Sequence, residues 1–292
     1  MPDPTRVAIA VIHGMGSQGD KPQGPNDISF SAGLYRALRN YMAPEEWNGR
    51  VAWREVFWAD ILQERQEDYV LKALKGKARW LKTRRFVMHN LTDAAAYRKV
   101  SDNETDVYQR VQARVTDAID NLQAVAGPET PLLVLAHSLG GHIVSNYIYD
   151  RQKAMRLDAP WVQALTPFQR LETMAGFVTF GCNIPIFTFA YPPDEVWPIN
   201  YPGIRIPQPR RISPWWQNFN DKDDVLGMPL APAGTRYQDM ADAGDLSDRW
   251  INAGSPLTSW TPASHNGYWT DRHFYRPVAA MIRKALKIGP VT

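Results

Sequence analysis

Short apolar runs ended by glycine or polar turns alternate along the chain with longer stretches whose apolar residues recur every three or four positions. The first run, Arg6 to Gly14 (RVAIAVIHG), is continuous and β-branched, the pattern of a parallel strand buried on both faces. From Ser29 to Met42, Leu34, Leu38 and Tyr41 fall at helical spacing, and Gly49 to Trp58 (GRVAWREVFW) reads as a second strand. The chain therefore opens with a βαβ unit. Asp60 to about Val100 is helical in pattern and rich in Lys and Arg, and is read as an insertion outside the sheet. Glu104 to Val125 is a long amphipathic helix with Val107, Val111, Val115, Ile119 and Leu122 on one face, stopped by Gly127-Pro128. Pro131 to Gly141 (PLLVLAHSLGG) passes from strand into helix, and Met174 to Cys182 is another buried strand.

Eight of the 23 prolines lie between Pro185 and Pro214, so this aromatic-rich segment is expected to be neither helix nor central strand. A closing helix is expected from near Arg276, with Pro277 in its first turn. Strands alternating with helices predict an α/β fold built on a mainly parallel sheet. No internal repeat or Ser/Gly linker divides the chain, so residues 1–292 read as one domain carrying two insertions, at about 60–103 and 183–216.

A length of 292 residues, 44% of them hydrophobic and 22% charged, suits one large core. The formal charge of +3, from 33 basic and 30 acidic residues, is too mild to argue for a nucleic-acid partner. The single cysteine, Cys182, rules out an intrachain disulfide and gives no sign of an oxidising compartment. Nothing in the sequence reads as a signal peptide or approaches the length of a membrane span, so the expectation is a cytoplasmic protein without a transmembrane segment.

Ser138 stands where a buried strand turns into a helix, with small Ala136 two residues before it and Gly140 two after. A nucleophile on so tight a turn needs small neighbours, because strand and helix must pass closely. Here the sequence resembles the α/β-hydrolases, and within them the lipases whose elbow reads Ala-His-Ser-x-Gly. The resemblance implies an α/β-hydrolase fold with a helical or loop cap, and an oxyanion site formed by the backbone N–H groups of Met15, after His13-Gly14, and Leu139, after the serine. It also implies the order serine, acid, histidine. His265, in a loop of small and polar residues before the closing helix, is favoured over His273 as the base. In WWQNFNDKDDVLGMP (Trp215 to Pro229) the Asp-x-Val/Leu-Gly pattern resembles the lipase acid loop, a resemblance that selects Asp224 as the acid, with Asp223 a close rival and Asp221 a weaker one.

The other reactive residues carry plainer readings. His13 is taken to stabilise its loop, His137 to be structural within the elbow, His142 to face a neighbouring element, His89 to lie on the surface of the insertion and Cys182 to be a buried small apolar residue. The basic stretch Lys75 to Arg85 is read as a solvated helix face, with a weak contact to a membrane surface as the alternative. The resulting expectation is a serine hydrolase of hydrophobic carboxylic esters, an esterase or lipase, that needs no metal or cofactor. A thioesterase, amidase or acyltransferase would use the same groups, and a ligand-binding protein on the same fold is the non-enzymatic alternative. Oligomeric state leaves no trace in the sequence.

Overall fold

The computed structural model describes residues 6–14, 24, 26–69, 72, 93, 95–97, 106–253 and 262–291. Strands β1 (Val7–Ile12), β2 (Val51–Val56), β3 (Leu132–His137), β4 (Met174–Phe180), β5 (Trp216–Asp221) and β6 (Leu246–Ile251) form one sheet in the order β2-β1-β3-β4-β5-β6. Every pairing is parallel. The connections supply the helices α1 (Ala32–Tyr41), α2 (Pro44–Trp47), α3 (Asp60–Tyr69), α4 (Val107–Ala126), α5 (Leu139–Arg156), α6 (Pro160–Gln163), α7 (Ile184–Thr188), α8 (Thr235–Asp242) and α9 (Arg272–Ile288). This is the parallel sheet flanked by helices that the alternation of the sequence predicts.

The continuous apolar runs are explained by helices on both faces. In β1, Ala8, Ala10 and Ile12 pack with Val111, Val115 and Ile119 of α4 and Ile143 of α5, while Val7, Ile9 and Val11 pack with Leu34 and Leu38 of α1 and Val278 and Ile282 of α9. β3 divides in the same way, Leu132, Val134 and Ala136 to one side and Leu133 and Leu135 to the other. With successive side chains pointing to opposite faces, a strand covered on both sides has no polar position left. No described helix is long and apolar enough to cross a membrane.

Several expectations need correction. The closing helix starts at Arg272, four residues before Arg276, because Asp271 caps it by accepting from the His273 N–H at 2.6 Å. Pro277 lies inside it and does not mark its start. Tyr41, expected on the buried face of α1, is 41% exposed and meets Tyr275 of α9 at its edge. The proline-rich segment does hold a helix, α7, since Pro185 occupies its first turn, where a missing N–H costs nothing. That segment also divides in space. Its start follows the carboxyl end of β4, whereas Gly203 packs against the Met174 carbonyl at the opposite end of that strand, and Ile206 and Ile212 are buried in the core. α8 and β6 escape the sequence reading altogether. β6 has only Leu246 buried, since it is the outer strand of the sheet, and its polar composition resembles a loop. Beyond Tyr69, most of the first insertion, including Lys75 to Arg85 and His89, lies outside the described residues.

Two histidines are buried where strands end, His13 after β1 and His137 as the last residue of β3, at 0% and 1% exposure. Burial lowers the His13 pKa to about 4 and holds His137 well below its usual range. The unfolded chain takes up protons at both sites near pH 6.5 and the folded chain does not, so stability is greatest above that pH and falls with acidification. Stability, and Tm with it, therefore falls as the pH drops from 6.5 to 5. Thermal unfolding followed by circular dichroism at pH 7, 6 and 5 checks this, and a Tm constant across that range would refute it.

Candidate active site

The sheet changes direction between β1 and β3, because the connection from β1 leads to one edge and that from β3 to the other. Crevices for ligands open at such a switch point, beyond the carboxyl ends of the strands. Ser138 stands there. Its backbone has φ 54° and ψ −128°, a conformation that side chains other than glycine rarely adopt. Its N–H donates to the Phe180 carbonyl at 2.9 Å, which extends the β3–β4 ladder by one bond and holds the strained residue in place. The expected small neighbour is explained by contact: a Cβ on Gly140 would sit 2.7 Å from the His13 carbonyl oxygen and 2.9 Å from Ile12 Cγ2. Leu139 opens α5, and its N–H belongs to the first turn, where helix geometry provides no internal acceptor.

The base and acid meet. His265, in the 3-10 stretch Pro262–Thr270, has its Nδ1 3.0 Å from both Asp224 oxygens. Two other donors hold the carboxylate, which accepts from the Leu226 N–H at 2.9 Å on Oδ1 and from the Tyr268 hydroxyl at 2.9 Å on Oδ2, and Gly181 lies close against the pair. Gly181 has φ 55°, and a Cβ there would lie 2.9 Å from Asp224 Oδ2 and 3.1 Å from His265 Nδ1. Burial alone would raise the Asp224 carboxyl, but the hydrogen bond and charge of His265, together with the Leu226 and Tyr268 donors, outweigh it and hold the pKa at about 2. The carboxylate is therefore an acceptor only, so Nδ1–H of His265 is the donor of that bond.

Two more histidines fix the surroundings. His137 directs Nε2 at the His265 carbonyl oxygen at 2.7 Å, so that nitrogen bears the proton, and the two rings lie 4.6 Å apart. The residue preceding Ser138 thus ties the elbow to the backbone of His265. His13 accepts the Trp58 N–H on Nε2 at 3.1 Å and donates from Nδ1 to the Gly14 carbonyl at 2.7 Å, while the Trp58 indole N–H donates to the His13 carbonyl at 3.1 Å. These bonds set the turn that leads to Met15. Gly14 itself is against the serine, since a Cβ on it would be 2.3 Å from Ser138 Cβ.

Of the residues singled out from sequence, the structure gathers Ser138, Leu139, Asp224 and His265 at the carboxyl edge of the sheet, and Met15 lies outside the described residues. The Ser138 hydroxyl is buried and makes no hydrogen bond among the described residues. Asp223 is exposed, and Asp221 is engaged elsewhere, accepting from the Asp223 N–H at 2.8 Å and from the Ala253 N–H. His273 is on α9, bonded to Asp271 and half exposed. His142 faces a neighbour as expected, stacked on Phe187 of α7 with ring centroids 3.9 Å apart, and Cys182 is fully buried.

Sequence reasoning missed the supports. Tyr268, which also accepts the Asp221 N–H at 2.7 Å, and Gly181 carry no motif. Nor do Asn218 and Asp248, which clamp the loop carrying Asp224: Asn218 Nδ2 donates to the Met228 carbonyl at 3.0 Å and to Asp248 at 2.7 Å, and Asp248 accepts from the N–H groups of Leu230 at 2.9 Å and Ala231 at 2.8 Å. An Asn and an Asp at matched positions of adjacent strands were the available signal, hidden because β6 was not recognised.

No protein-family model matches the chain, and no curated protein does. Among solved structures, the chain is similar to that of XC6422 from Xanthomonas campestris, described as an α/β serine hydrolase without a lid, at 10% identity over 98% of this chain and 84% of the other, with a TM-score of 0.38.

Proposed function

We propose that the chain is a serine hydrolase that cleaves carboxylic esters through an acyl-enzyme on Ser138. The observation that carries this reading is the buried Asp224–His265 pair, tied through His137 to a serine held at positive φ on a strand-to-helix turn. In the proposed reaction His265 Nε2 takes the Ser138 proton as Oγ attacks the ester carbonyl, and the imidazolium that forms is stabilised by Asp224 across Nδ1–H. The N–H groups of Leu139 and Met15 receive the charge that develops on the carbonyl oxygen. His265 then protonates the leaving alkoxide, and water, activated by the same imidazole, releases the acid.

The preference for hydrophobic acyl or aryl groups is supported by the residues that follow the sheet's carboxyl edge. Ile186, Phe189 and Tyr191, in and after α7, and Val225, next to the acid, are all exposed. We assign the part of the second insertion from Ile184 to Tyr191 to a cap over this edge. Exposed apolar groups of this kind offer contact area to an apolar substrate.

A fluorophosphonate probe should label the wild-type protein and leave Ser138→Ala unlabelled; absence of wild-type labelling would sink the enzyme reading. On p-nitrophenyl esters, Asp224→Asn should lower kcat by about a thousandfold or more, as expected when the imidazole loses its orienting carboxylate. Asp223→Asn should leave kcat nearly unchanged, and the reverse result would reassign the acid. Tyr268→Phe removes one donor to the Asp224 carboxylate and should lower kcat several-fold, with a KM close to wild type. A Tyr268→Phe enzyme with unaltered kcat would show that the phenol only packs.

A further inference from the structure

A groove of about 740 Å³ lies between α4 and α5, and neither Ser138, Asp224 nor His265 lines it. Its floor is Arg151, 9% exposed, which lies roughly 20 Å along α5 from Ser138 at the helical rise per residue. The guanidinium lies over two aromatic rings, 4.6 Å from the Tyr147 centroid and 4.9 Å from that of Trp161. Nη2 donates to the Tyr147 hydroxyl at 2.6 Å and to Thr116 Oγ1 at 3.4 Å. Nε is buried without a partner, Nη1 makes no hydrogen bond among the described residues, and Arg151 lines the groove. No carboxylate pairs with Arg151 among the described residues.

A guanidinium removed from water and left without a counter-charge is costly, and two hydroxyls and two ring faces offset that cost only in part. The groove does not neutralise it either. Arg110 and Lys153 add two positive charges at its margin, against one negative charge from Asp150, whose carboxylate already accepts from the Tyr108 hydroxyl at 2.8 Å. The rest of the wall mixes polar Gln109, Gln112 and Thr116 with apolar groups, of which Trp161 is 50% and Leu157 70% exposed. The volume lies in the range of small-molecule sites.

We propose that this groove binds a small organic oxyanion, a carboxylate or phosphate monoester on an apolar body, with the anion on Arg151 and the body against Trp161 and Leu157. The site does not depend on the ester-hydrolase reading, since it shares no residue with the candidate triad.

Isothermal titration calorimetry on the full chain tests the proposal with hexanoate, hexyl phosphate and neutral hexanol. At least one anion should bind, at least about tenfold more tightly than hexanol, as expected for a charge-assisted hydrogen bond in a partly dry site. The tighter anion identifies the ligand class. Arg151→Met should weaken that binding at least about tenfold, and Trp161→Ala should weaken the anion and the alcohol alike. Circular dichroism establishes that each variant is folded. Should Arg151→Met not fold, the Trp161→Ala variant and the comparison of anion with alcohol decide the matter. No binding of either anion up to about 10 mM, equal binding of hexanol, or undiminished binding by folded Arg151→Met would overturn the proposal.

Discussion

The arrangement at the carboxyl edge of the sheet depends on how closely the first turn of α5 crosses the end of β1. Backbone meets backbone there, with no room for a Cβ on Gly140 beside the His13 carbonyl, and Gly14 lies against Ser138 from the other side. Such an approach forces the residue between strand and helix into a conformation that costs of order 1–3 kcal/mol, which persists only because its surroundings over-determine it. The surroundings are identifiable. The Ser138 N–H is fixed by the Phe180 carbonyl, the helix is anchored by Ile143 and Val144 in the core, and the end of β1 is locked by the reciprocal bonds between His13 and Trp58. The strain of one residue is thereby distributed over three strands and a helix.

The same edge handles charge economically. Asp224 is the ionised member of a largely buried group, and the donors aimed at it come from two parts of the chain: the loop itself through Leu226, and the 3-10 stretch before α9 through His265 and Tyr268. The neighbouring imidazoles of His13 and His137 are kept neutral by burial, so they act as hydrogen-bonding struts and do not compete for the carboxylate. A second positive charge beside His265 would have weakened the very interaction that orients it. The contrast with Arg151, which is also buried but carries permanent charge and pairs with no carboxylate among the described residues, shows two separate solutions to placing a cationic group away from water.

Much of this was legible in the sequence because continuous apolar runs and helical periodicities report burial, and burial is what the parallel sheet imposes on β1, β3 and β4. The elbow was legible for a further reason: Ala136, Ser138 and Gly140 obey a steric rule at a fixed spacing. Asp224 and His265 came from chain order and a resemblance, and the structure brings them into contact. What stayed hidden was stabilised by polar groups acting at long range. β6 buries almost nothing and so shows no hydrophobic signal, yet it completes the sheet beside β5. The start of α9 was misplaced since proline was weighted above the cap at Asp271, and Tyr268 was passed over because its two hydrogen bonds join residues more than forty positions away.

The clamp from Asp248 has a mechanical consequence. The carboxylate of an outer strand, joined to the sheet on one side only, carries the loop that delivers Asp224. Outer strands fray at lower free energy than central ones, in units that open without global unfolding. Detachment of β6 would therefore slacken the acid loop while β1, β3 and the elbow stayed folded. Such an opening would separate the Asp224–His265 pair in a molecule whose core is intact.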